Sequence, residues 1–148
     1  CKDEVIRLGI QDHVHFHGWL PRAELDNWYQ GADVFLFPSF REPSGNVVFE
    51  SLKHGLPVIT SNLGGPGYVI DESCGIRVVP TTPTEYAERL SHAISELASD
   101  LERLKIMSGA ASDRLEKLAL WNSKIQRMHE LYWDIVRGQN IRTTPSRP

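Results

Sequence analysis

Residues 34–60 read VFLFPSFREPSGNVVFESLKHGLPVIT, and the order of patterns within them decides the fold. Val34 to Phe37 is an unbroken apolar run closed by Pro38, the pattern of a strand buried on both faces. Pro57 to Thr60 repeats that pattern. Between the two runs, Val47, Val48, Phe49 and Leu52 predict a helix from about Ser44 to His54, with Gly55 where a left-handed C-terminal cap belongs. Strand, helix and strand in so short a span make a crossover unit, which joins parallel strands.

Outward from this unit the alternation continues. On the N-terminal side, Lys2 to Leu8 is the tail of a helix ended by Gly9. His13–Val14–His15–Phe16–His17 alternates with period two and stops at Gly18, which predicts a strand. Pro21 to Gly31 places Leu25, Trp28 and Tyr29 on one face of a short helix. On the C-terminal side, a glycine-rich loop from Asn62 to Gly67 leads through a helical piece at Tyr68 to Asp71 into a strand at Ile76 to Val79. Thr82–Pro83–Thr84–Glu85 is a capping box with proline at the first helical position. The helix it opens carries Ala87, Leu90, Ala93, Ile94 and Leu97. Two more helices are predicted, from about Asp100 to Leu118 and from Trp121 to Val136. The expected class is α/β, a Rossmann-like parallel sheet flanked by helices. Residues 1–136 are expected to form the domain and residues 137–148 a disordered tail.

Composition narrows the function. Hydrophobic residues make up 41% and charged residues 24% of the 148, both near the globular average, which argues against an extensively disordered chain. A net charge of −3 offers no footprint for nucleic acid. Two cysteines, Cys1 and Cys74, make no disulfide framework, so a cytoplasmic setting is expected. No apolar run approaches the roughly 18 residues of a membrane span. The chain opens at Cys1 within a helical pattern, which carries the expectation of a longer parent protein.

The chemistry concentrates at residues 41–50. Glu50 sits in a helix with Val47, Val48, Phe49 and Leu52 around it, and an unpaired buried carboxylate there would be costly. It is expected to have a partner, for which a ribose hydroxyl pair is suited. A structural arginine would serve equally. Glu42 follows a buried strand, at the C-terminal edge of a parallel sheet where ligands of such folds bind. It is expected to meet sugar hydroxyls, unless it is only a solvated loop charge. Between the carboxylates, the amides of Gly45, Asn46 and Val47 open the helix and form a seat for phosphate.

Glu42, seven residues and Glu50, with Gly45 between, resemble the Glu-x7-Glu motif of glycosyltransferase family 4, a GT-B family. His15–Phe16–His17–Gly18, Gly31 to Ser39, His54–Gly55–Leu56–Pro57–Val58 and Leu63–Gly64–Gly65 fall in the family's order and spacing, and the likeness runs from about Asp3 to Tyr132. The resemblance implies the C-terminal, nucleotide-sugar-binding half of a GT-B fold, truncated so that its first strands are missing. It implies a retaining hexosyltransferase that uses a nucleoside diphosphate sugar, needs no metal or other cofactor, and acts on a saccharide or lipid-linked acceptor in polysaccharide biosynthesis. Glu50 would hold the ribose hydroxyls and Glu42 the transferred sugar. Ser44, Gly45, Asn46 and Val47 would bind the donor, and Gly18, Trp19 and Leu20 would line the base pocket. The acceptor site would lie on a missing N-terminal domain of the same chain, and the 148 residues alone are expected to fold poorly and be inactive. The enzyme would be cytoplasmic or peripheral at the inner face of a membrane. One departure stands out: where the family carries an acid after Gly64–Gly65, this chain has Tyr68.

Other features draw plainer readings. His13, His15 and His17 share a strand face, but at strand rise the outer two lie about 13 Å apart, too far to share a metal. An adjacent pair would need a third ligand from elsewhere, so the three read as polar-face residues of the strand. Trp121, Ile125, Met128 and Leu131 are core residues, or a face turned towards the missing domain. The alternatives to a transferase are a sugar-nucleotide epimerase or phosphorylase of GT-B fold, and a non-catalytic sugar-nucleotide-binding scaffold.

Overall fold

The computed structural model describes residues 1–119 and 121–138. The expected tail therefore lies outside the described residues from Gln139 on. The described chain divides into two compact units, Cys1–Gly31 and the portion from Ala32 onwards.

The first unit is a helix, a turn and a helix. Helix α1, Lys2–Leu8, stops at Gly9, whose φ of 68° lies in the left-handed region that glycine enters without cost. A 3-10 turn, Gln11–His13, follows, and α2 runs Arg22–Gln30. The strand expected at His13–His17 does not form. Val14 has extended backbone, but extended backbone becomes a strand only when another strand takes up its N–H and C=O groups, and among the described residues none does. Its alternation is a local pattern without a ladder. His17 instead lays its ring against Trp28 of α2, with centroids 4.0 Å apart. Trp28 itself remains half-exposed, and Trp19 is exposed almost completely.

The second unit holds a parallel sheet in the order β1-β2-β3, with β1 at Phe35–Phe37, β2 at Val58–Ser61 and β3 at Gly75–Val78. Helix α3, Asn46–Lys53, connects β1 to β2, and α4, Gly64–Val69, connects β2 to β3. Helices α5, Pro83–Ser99, α6, Leu101–Ala119, and α7, Trp121–Val136, complete it. β2 is central and wholly buried, and its alternate side chains divide the core in two. Val58 joins Val48 and Leu52 of α3, Val69, Ile70 and Cys74 on one face, closed by Ala111 of α6. Ile59 joins Val78, Tyr86, Ala93, Leu97 and Met107 on the other. α6 serves both clusters. Each fully buried leucine or isoleucine here is worth about 1.5–3 kcal/mol.

Capping follows the sequence. The Thr82 hydroxyl accepts the Glu85 amide, with Pro83 opening α5. Gly55, at φ 72°, ends α3, with its own amide on the Leu52 carbonyl and that of Leu56 on Ser51.

Two expectations are corrected. β1 is an outer strand covered on one face only: Phe35 and Phe37 pack beside Val58, while Leu36 is 41% exposed because α5 packs over β2 and β3. The glycine-rich segment is not a loop to Gly67, since α4 begins at Gly64. Gly-Gly-Pro-Gly is a poor helix former by propensity, so tertiary contact must impose this helix. Along α7, Trp121, Ile125 and Met128 form with Tyr132 and Ile135 an apolar stripe that stays exposed, while Leu131 is half-buried. Of the two readings of this pattern, the structure shows the open face and not the core.

Candidate functional site

The candidate site is built where the chain leaves β1. Hydroxyls of the buried strand β2 hold the exit: Thr60 donates to the Phe37 carbonyl at 2.8 Å and Ser61 to that of Ser39 at 2.6 Å. From α5, the Tyr86 hydroxyl donates to the carbonyl of Pro38 between them. Three consecutive carbonyls are thereby anchored, and the loop that carries Glu42 starts from a rigid base.

The far side of this loop is pressed against the start of α4. A methyl group on Gly65 would stand 2.5 Å from the Pro43 carbonyl oxygen, and one on Gly64 2.5 Å from that of Glu42. Gly45, at φ 66°, faces Pro66 less tightly, with 3.0 Å from such a methyl group to the Pro66 nitrogen. The Gly65 amide donates to the Glu42 carbonyl at 3.1 Å. Backbone meets backbone here, which no side chain would permit. These contacts hold Gly64–Gly65 in place and account for the helix that propensity alone would not form.

Glu42 is half-buried and turns back over the N-terminal end of α3. Its Oε1 accepts the Gly45 amide at 3.0 Å, the Ser44 hydroxyl at 3.0 Å and the Ser44 amide at 3.2 Å. These three donors, the Gly45 amide foremost, lower its pKa below the ordinary carboxylate value. The Gly45 amide expected to meet phosphate thus already serves Glu42. The Asn46 and Val47 amides belong to the first helical turn, where no intrahelical acceptor exists. Glu50 stands one turn on, half-buried, on the face shared by Asn46 and Val47. Helical side chains lean towards the N-terminus, so Glu50 leans towards that end of α3. One unit therefore brings together Glu42, Ser44, Gly45, Asn46, Val47 and Glu50. Gly18, Trp19 and Leu20 lie in the other unit, Gly18 in a left-handed turn at φ 66°. Tyr68 projects from α4 and is exposed.

Residues 2–99 match the family described as glycosyl transferases group 1. The chain belongs to that family. Among its relatives, a D-inositol 3-phosphate glycosyltransferase of Streptomyces bingchenggensis is 32% identical over 89% of this chain and 28% of its own length. A putative glycosyltransferase of Bacillus subtilis is 27% identical over 95% of this chain and 34% of its own. This group 1 chain thus spans about a third of the length of such relatives. A sucrose-phosphate synthase from Thermosynechococcus elongatus superposes with a TM-score of 0.74 at 28% identity, over 93% of this chain and 34% of that one. The Anabaena protein HepE, in complex with UDP, gives a TM-score of 0.71 at 20% identity, over 90% and 35%. The parallel sheet and its helices are those of the C-terminal half of a GT-B glycosyltransferase.

Several residues that shape the site of this family member escaped the sequence reading. Thr60, Ser61 and Tyr86 anchor the loop. For Thr60 and Ser61 the signal was there in hydroxyls placed at the end of a buried apolar strand, whereas Tyr86 comes from within α5 and carried none. Arg114 of α6 is a second case. It donates from Nε to the Val69 carbonyl at 2.7 Å and pairs with Asp71 at 2.9 Å, which fastens the end of α4. Burial raises the Asp71 pKa, but bonds from Ser73 and the Arg114 charge outweigh it and the net shift is downward. Among the described residues no three histidine, cysteine or acidic side chains cluster as a metal site. His15 and His17 keep their rings 6.2 Å apart.

Proposed function

We propose that this chain is the donor-binding part of a retaining glycosyltransferase, which transfers a hexose from a nucleoside diphosphate sugar to a hydroxyl of a saccharide or lipid-linked acceptor. The observation that carries the reading is the opening of α3 at the C-terminal edge of the parallel sheet, with Glu42 at its mouth and Glu50 one turn inside. In this reading Glu50 holds the ribose hydroxyls, and Glu42 meets the transferred sugar. The amides of Asn46 and Val47 take phosphate oxygens, aided by the helix dipole. Gly18, Trp19 and Leu20 serve the base. A protein of the relatives' length supplies the acceptor site. Fixed dipoles, rather than a metal, stabilise the leaving diphosphate.

Family membership supports this reading, and so do the solved structures described as complexes with UDP. The test is ligand-observed NMR on the full-length protein with UDP-, GDP- and ADP-sugars in the presence of a chelator. One nucleotide series is expected to bind, and Glu50→Gln to weaken it roughly ten- to a hundred-fold, the worth of hydrogen bonds to a charged group. Unchanged nucleotide affinity in the variant would remove the ribose role, and loss of binding in chelator would remove the metal-free one.

A further inference from the structure

Ser44, grouped by resemblance with the donor-binding residues, turns both its amide and its hydroxyl onto Glu42. A carboxylate on a loop has two freely turning bonds beyond its β-carbon and ordinarily spreads over many orientations. Here one of its oxygens is tied at three points to its own chain two and three residues on: the Ser44 amide, the Ser44 hydroxyl and the Gly45 amide, all within 3.2 Å. The two amides are held by backbone, since Gly45 lies against Pro66 and the Glu42 carbonyl accepts Gly65. The hydroxyl is the one donor of the three that a side chain supplies, and the one that substitution can remove without disturbing the loop.

We propose that Ser44 is a positioning residue of the donor site: its hydroxyl completes the clamp that holds the Glu42 carboxylate in one orientation at the mouth of α3, so that Glu42 is an acceptor set in advance for hydroxyls of the transferred sugar. The inference rests on the reading of Glu42 as the sugar contact. A carboxylate oriented before the donor arrives loses little freedom on binding, whereas a loose one must be ordered at that moment. Ser44 acts through Glu42, so its effect belongs to the sugar and not to the nucleotide. The clamp also holds Glu42 ionised to lower pH, which gives a second readout.

The test compares Ser44→Ala, Ser44→Thr and Glu42→Gln in the full-length protein, with the free nucleoside diphosphate and the nucleotide sugar that the wild type binds. Ser44→Ala is expected to weaken the nucleotide sugar, or lower kcat/KM, roughly three- to tenfold while leaving the free nucleotide unchanged. The acid limb of its pH–rate profile should move to higher pH, and Ser44→Thr should restore both. If Glu42→Gln lowers nucleotide-sugar binding and Ser44→Ala leaves both binding and acid limb at wild type, the positioning role is wrong and the sugar contact stands. If Ser44→Ala weakens both ligands equally, the hydroxyl serves the loop and not the sugar, which also overturns it. If Glu42→Gln itself makes no distinction between the two ligands, the sugar contact fails and the inference with it.

Discussion

The junction of α3 with α4 and the long face of α7 are opposite solutions to the same problem of where a helix puts its surface. At the junction, three glycines let backbone approach backbone, and Gly65 leaves no room for a methyl group. Along α7, Trp121, Ile125, Met128, Tyr132 and Ile135 repeat at helical spacing, yet each is at least half exposed. The residues with the least to bury are locked, and those with the most stand in solvent. Apolar content alone therefore does not locate the rigid part of this molecule. Close approach and anchored carbonyls do.

This contrast can be broken by mutation. The largest effect is expected from Gly65→Ala, whose new carbon would meet the Pro43 oxygen and the Ser44 carbonyl. Forcing these backbones apart should cost about 2–3 kcal/mol in denaturant unfolding of the full-length protein, and nucleotide binding should fall with it. A variant as stable as wild type would show that the junction is loose.

Arg114→Ala should cost less, about 1–2 kcal/mol, by removing charge-assisted bonds to the Val69 carbonyl and Asp71. Its pH dependence sharpens the point. Because the folded Asp71 has a lowered pKa, its pairing adds stability above the ordinary carboxylate value of 3.8, and that stability is lost as pH falls through the folded value. The gap between wild type and Arg114→Ala should thus be full near neutrality and narrow in acid. A gap constant across that range would mean the ion pair contributes nothing. The smallest effect is expected from Met128→Gln on α7, within about 0.5 kcal/mol by the same unfolding measurement. A larger loss would mean that the stripe is covered in solution and that the two regions are less different than they look.

What the sequence disclosed follows the same division. The buried strand Val58 to Thr60, the capping box at Thr82 and the left-handed Gly55 are short-range patterns with one physical meaning each, and all three stand in the structure. His13 to His17 misled because alternation reports side-chain faces and not a partner for the backbone. Leu36 misled for the reason that an apolar run cannot say which strand ends at the edge of a sheet. The grouping of Glu42 with Glu50 around one helix start could be read from spacing. The fold of Glu42 back onto Ser44 and Gly45 could not, because it depends on how α4 presses the loop from outside.

The tryptophans carry a practical consequence. Trp19 and Trp121 are 86% and 76% exposed, and Trp28 and Trp133 about half, which accounts for all four in the chain. Indole emission reports polarity around the ring, and these rings already sit largely in water in the native state. Unfolding would therefore barely redden the spectrum, whereas any surface that settles over α7 would shift it to the blue. The chain is a poor reporter of its own melting and a sensitive one of what docks on its last helix.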